Sequence, residues 1–152
     1  METVGEFLAG KGGSVFTVRP DATVYQALEV MAEKNIGAVI VTDESGKLSG
    51  ILSERDYARK MMIKGRDSHS TKVGEIMTTV VVSVNPETRL RDCMSIMTDK
   101  RIRHLPVFQG EKLMGVISIG DVVKSLLSEQ DYVISQQAYK IDQLENYISL
   151  SP

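Results

Sequence analysis

The stretch from Thr17-Val18-Arg19-Pro20-Asp21 to Gly50-Ile51-Leu52-Ser53-Glu54-Arg55-Asp56 is written a second time, from Ser83-Val84-Asn85-Pro86-Glu87 to Gly115-Val116-Ile117-Ser118-Ile119-Gly120-Asp121. The offset is 66 positions from Thr17/Ser83 to Val41/Val107 and 65 from Gly50/Gly115 onward, so one residue has dropped out between. Two copies of one supersecondary unit tend to pack about a pseudo-twofold axis, and the clefts between them are natural ligand sites.

Working outward, Val15-Phe16-Thr17-Val18 alternates β-prone residues and stops at the Arg19-Pro20-Asp21 turn. From Thr23 to Asn35 the apolar positions Val24, Ala27, Leu28, Met31 and Ala32 follow helical spacing. Ala38-Val39-Ile40-Val41 is an all-apolar run, the mark of a strand covered on both faces, and Asp43-Glu44-Ser45-Gly46 turns the chain into a strand at Leu48 to Leu52. A helix follows from Ser53 to about Ile63, with Tyr57, Ala58, Met61 and Met62 inward. The second copy predicts a strand at Val80–Val84, a helix at Thr88–Lys100, strands at Leu105–Phe108 and Leu113–Ile117, and a helix from Ser118 to about Ser128. The unit is β-α-β-β-α, twice, an α/β (α+β) fold. Even the lead-in repeats, Val4-Gly5-Glu6-Phe7-Leu8 before copy one and Val73-Gly74-Glu75-Ile76-Met77 before copy two. Copy one carries three extra residues around Gly10-Lys11-Gly12-Gly13. The expected layout is repeat one at 3–63, a polar linker at 64–72, repeat two at 73–128, and a separate C-terminal helix at 129–150. That helix carries Ile134, Ala138, Ile141, Leu144 and Ile148 at helical spacing, for packing on its own domain or on a second subunit.

At 152 residues the chain buries enough apolar surface to be stable, whereas each half alone is marginal, which favours two halves sharing one core. A formal charge of −2, with no basic stripe interleaved with aromatics, disfavours nucleic-acid binding. Cys93 is the single cysteine and falls on the buried face of a helix, which excludes a disulfide framework within one chain and is compatible with a reducing compartment. No stretch approaches the roughly 20 apolar residues of a membrane span, so a cytoplasmic protein is expected. The eight methionines fall mainly on inward helix faces as core filler. Two histidines and one cysteine far apart give no metal-ligand spacing, and no nucleophile with a matched base can be assembled. His69 lies in the linker and reads as solvated.

The sharpest local motif is Gly-apolar-apolar-Ser-x-x-Asp, at Gly50 to Asp56 and Gly115 to Asp121, at a strand-to-helix junction each time. Ser-x-x-Asp resembles a capping box. It also fits a polar rim above apolar strand residues, where a carboxylate could hold a ribose diol. Spacing alone leaves both readings open.

The doubled unit resembles a tandem pair of cystathionine β-synthase (CBS) domains, a Bateman module, over about residues 3–128. The residues that carry the likeness are Ile36-Gly37-Ala38-Val39, Ile102-Arg103-His104-Leu105-Pro106-Val107 and the Gly-x-x-Ser-x-x-Asp ends. Lys11-Gly12-Gly13, Ser53 to Lys60 and Arg101 to Val107 are similar to small stand-alone CBS-pair proteins of bacteria and plant organelles. The resemblance implies two clefts that bind adenine nucleotides as regulatory ligands, with no obligatory cofactor and no catalysis. In cleft one Asp56 would take the ribose hydroxyls beside Ser53. Val80, Val81 and Pro106 would enclose the adenine, and Arg55, Arg103 and His104 would reach the phosphate. In cleft two Asp121 and Ser118 would face Val15, Phe16, Ile36 and Ala38. There Gly120 stands for Arg55, and Gly37 and Ala38 stand for Arg103 and His104, so weaker binding, a nucleoside-like ligand or no ligand is expected. Lys11-Gly12-Gly13 is an ordinary loop or a source of amides and an ammonium there. AMP, ADP, ATP, NAD(H) and S-adenosylmethionine all fit the motif. The resemblance also implies a flat homodimer, which the C-terminal helix could extend, and a protein target the sequence does not name. The alternative function is a structural module that oligomerises with no nucleotide, its Ser-x-x-Asp motifs serving only as caps.

Overall fold

The computed structural model describes residues 2–11 and 15–150, the last two by backbone alone. Helix α1 (Val4–Lys11) leads into β1 (Thr17–Val18), α2 (Val24–Lys34), β2 (Ala38–Thr42) and β3 (Leu48–Ser53). Then come α3 (Glu54–Tyr57), which runs on into a π-helical turn at Ala58–Met62, α4 (Val73–Ile76) and α5 (Leu90–Lys100). Strands β4 (His104–Gln109) and β5 (Lys112–Ser118) precede α6 (Ile119–Leu150).

Local chemistry explains the helix ends. Thr23 caps α2 by accepting the Gln26 amide while the Gln26 side chain accepts the Thr23 amide, and Asn35 closes the helix in the left-handed region at φ 54°. Arg101, the counterpart of Asn35, closes α5 at φ 56°. Such a backbone is less comfortable for Arg than for Asn. In copy one β1 runs parallel to β2 and β2 antiparallel to β3, with Val18 opposite Val41. In copy two β4 and β5 pair antiparallel, and Val84 alone bridges Val107 in parallel, the exact image of Val18 and Val41 one repeat later. The strand expected at Val80–Val84 is therefore reduced to a single bridge, because Val80, Val81 and Val82 turn to line a cleft instead.

The lead-ins are exchanged between the copies. The Val4 and Gly5 amides donate to the carbonyls of Thr88 and Pro86, and the Val73 and Gly74 amides donate to those of Ala22 and Pro20, each at 2.8 or 2.9 Å. The helix before copy one thus packs on copy two, and the helix before copy two packs on copy one. This reciprocity replaces the single shared core with two. Val24, Ala27, Met31, Val39, Val41 and Leu52 bury with Val73 and Ile76 from α4. Their counterparts Leu90, Cys93, Met97, Leu105, Val107 and Ile117 bury with Val4 from α1. Cys93 is fully enclosed, and burial, helped by the Asp92 charge, pushes its thiol up to about 11.

Two further expectations are corrected, on the inward residues after Ser53 and on the C-terminal helix. The π-helical turn rotates the end of the α3 segment, so Met61 is buried while Ala58 and Met62 face solvent. The linker lies against copy one: Thr71 is buried, its carbonyl accepts the Val24 amide, and His69, exposed as expected, stacks on Tyr25 with ring centres 4.0 Å apart. The C-terminal segment is no separate helix, since α6 continues unbroken from Ile119 through 32 residues. From Gln130 to Ile148 every residue of it is exposed, so it does not pack on its own domain.

Candidate functional site

Both Ser-x-x-Asp motifs fold as reciprocal caps. In copy one the Asp56 amide donates to Ser53 Oγ at 3.2 Å, and Asp56 Oδ2 accepts the Ser53 amide at 3.0 Å and its hydroxyl at 3.1 Å. The other carboxylate oxygen accepts Thr78 Oγ1 at 3.0 Å and pairs with Lys60 Nζ at 3.1 Å. Lys60 was legible at i+4 on one helical stretch. Thr78 was not, because it arrives on the exchanged lead-in. In copy two Asp121 Oδ2 accepts the Ser118 amide at 3.0 Å and pairs with Lys11 Nζ at 3.0 Å, while the Asp121 amide donates to Ser118 Oγ at 3.1 Å. Burial acts to raise the Asp121 carboxyl, but the Ser118 amide and the Lys11 ammonium outweigh it and hold the group below its ordinary value.

Cleft one is a cavity of about 230 Å³ that brings together Ser53, Arg55, Asp56, Val80, Val81, Arg103 and His104. Pro106 is not in it: it lies buried in β4, its carbonyl accepting the Val84 amide at 3.0 Å. Thr78, Arg59, Arg101 and the acidic Glu54 are among the further lining residues. Arg55 reaches across the copies to donate to the Arg101 carbonyl at 3.0 Å, so its guanidinium already spans the mouth.

Cleft two, about 470 Å³, brings together Val15, Phe16, Ile36, Ala38, Ser118 and Asp121. Neither Arg55 nor Arg103 lines it, but Lys11 does, in keeping with the reading of the extra loop as a source of an ammonium here. Lys11 lies on Asp121, and Lys34 Nζ sits 4.9 Å from the centre of the Phe16 ring. Gly12 and Gly13 lie outside the described residues.

His104 belongs to both clefts, which the repeat comparison assigned to cleft one alone. Its ring stands against Gly37, where a Cβ would come within 3.2 Å of Nε2, so the two cavities share a wall built from His104 and Gly37. Burial lowers the His104 pKa, aided by Arg103 and Lys11 and opposed by Glu54 and Asp121. The imidazole is therefore neutral at neutral pH and adds no charge to either cleft. Among the described residues no cluster of His, Cys, Asp and Glu is arranged to hold a metal ion, and no helix is long and apolar enough to cross a membrane.

Two β-α-β-β-α units with exchanged lead-ins, enclosing two polar-rimmed clefts, define a paired-domain module. The family model described as "CBS domain" matches residues 13–63 and 73–128, and the chain belongs to the CBS-domain family. It is 43% identical over 135 residues to the mitochondrial CBS domain-containing protein CBSX3 of Arabidopsis thaliana, covering 84% of this chain and 66% of the relative. It thus spans just under two thirds of that relative's length. The solved CBS domain structure NE2398 superposes with a TM-score of 0.78 at 42% identity, over 83% of this chain and 98% of that one. A hexameric CBS-CP12 protein from bloom-forming cyanobacteria superposes with a TM-score of 0.73 at 33% identity, over 81% and 70% of the two chains.

Proposed function

We propose that this protein is a cytoplasmic, non-catalytic regulatory module that binds an adenine nucleotide, AMP, ADP, ATP or NAD, in cleft one. Its ligand state is read by a partner protein through a change in how the two copies, or two subunits of a homodimer, pack. The observation that supports this reading best is the meeting of Asp56, Arg55 and Val80 from both copies in one cavity. Adenine would lie on Val80 and Val81, the ribose diol would take Asp56 from Lys60 and Thr78, and the arginines Arg55 and Arg103 would face the phosphate. Capping needs none of these arginines.

A second reading keeps the module as an assembly element with no nucleotide. It is favoured by the closure of both caps, since Asp56 and Asp121 each already hold a lysine. Calorimetric titration of the purified protein with AMP, ADP, ATP, NAD(H) and S-adenosylmethionine separates the two. Saturable heat with a phosphate-bearing ligand, and less with S-adenosylmethionine, is expected; silence from all five, with no thermal shift, leaves the assembly reading.

A further inference from the structure

Helix α6 divides into two faces. Val122 is fully buried and Leu126 packs against the same core, while Ser125 hydrogen-bonds Glu2, so this stripe faces the body. Roughly a quarter turn away lies a second stripe that is open to solvent. Leu127, Ile134, Ile141 and Ile148 stand seven residues apart on it, and Val123, Gln130, Gln137 and Leu144 interleave three residues after each preceding step. That is the 3.5-residue period of a coiled-coil seam, with the first set at a and the second at d. It spans residues 123–148, between three and four heptads. The six apolar members are 40% to 70% exposed. The free part of the helix, about 19 residues by the exposure pattern and roughly 28 Å long, is marginal as a helix in water unless its apolar face is covered.

We propose that this seam pairs with the same seam of a second copy, in parallel and in register, as a two-stranded coiled coil. The polar positions select the occupant and the direction. In a parallel pair Gln130 meets Gln130 and Gln137 meets Gln137, and each buried amide finds a partner amide. In an antiparallel pair Gln130 would face Ile141 and Ile134 would face Gln137, leaving amides unsatisfied against aliphatic side chains. Isoleucine at three successive a positions, with β-branching, suits two parallel strands. Charge agrees: Lys140, at g, falls beside Glu145, at e, of the other copy, twice per dimer. This pairing is independent of the nucleotide reading, since none of these residues lines either cleft.

Cross-linking of the full chain tests it. Ile141→Cys places a sulfur at an a position, where two copies in a parallel coil come within disulfide reach. Gln136→Cys, on the far side of the helix, is the control. Both positions are exposed, so the body folds in either variant, and the buried Cys93, with its thiol pushed up to about 11, stays silent. Under mild oxidation Ile141→Cys is expected to form covalent dimer about tenfold faster than Gln136→Cys. Equal rates would overturn the proposal. So would a cross-link that Ile141→Cys fails to make alone but gains when Gln130→Cys is added, because that pair meets only in the antiparallel arrangement.

Discussion

Asp56 and Asp121 occupy equivalent places and carry unequal loads. Asp56 caps Ser53, ties in Thr78 from the exchanged lead-in and holds Lys60, whereas Asp121 caps Ser118 and holds Lys11 at a more exposed site. Asp56→Ala is therefore expected to cost about 2–3 kcal/mol and Asp121→Ala about 1 kcal/mol, read from urea denaturation. The caps were legible from Ser-x-x-Asp spacing; the load was not, because Thr78 is distant in sequence. His104 adds a pH dependence of known sign. Its pKa is lowered in the folded state, chiefly by burial, so protonation favours the unfolded chain. Its contribution is complete above its ordinary value of 6.5 and is lost as pH falls toward the lowered folded value. Denaturation midpoints of the wild type should drop through that window, and those of His104→Gln should drop less; parallel curves would mean the loss comes from other groups.

At the scale of elements, the two repeat glycines mark where strand and lead-in meet. A Cβ on Gly50 would stand 2.6 Å from the Thr78 carbonyl, a backbone atom of the segment after α4 that pairs with β3 through Ile51. A Cβ on Gly115 would stand 3.0 Å from Leu8 Cδ2, the end of a side chain that can turn aside. Gly50→Ala is expected to destabilise by about 2–4 kcal/mol and Gly115→Ala by about 1 kcal/mol, seen as unequal shifts in thermal unfolding. Helix α2 was legible almost to the residue because Thr23 and Asn35 carry strong end signals. The run from Ser118 to Leu150 contains only Gly120, near its start, so nothing in it stops a helix. Dividing it at Ser128 mistook a change of face, from the Val122–Leu126 stripe to the Leu127–Ile148 stripe, for a change of element. Val80–Val84 misled in the opposite way: its β-propensity is real, but only Val84 has a neighbour to pair with.

At the scale of the molecule, exchange of the lead-ins is what turns a duplicated unit into a pair. The repeat itself and its units were plain in the sequence, yet nothing in adjacency says that Val4 buries with copy two and Val73 with copy one. The same exchange brings Thr78 to cleft one and Lys11 to cleft two, so the lead-ins add to the inequality that Gly120 in place of Arg55, and Gly37 in place of Arg103, already build into the repeat. His104 and Gly37 then form a common wall between the two cavities. The central claim is that a nucleotide seats its base on Val80 in cleft one. Val80 is 86% exposed and carries no part of the core, so Val80→Asp leaves the fold intact. Calorimetric titration of Val80→Asp beside the wild type, with the phosphate-bearing adenine ligand that binds, is expected to show at least about a tenfold loss of affinity; affinity equal to the wild type would contradict the account.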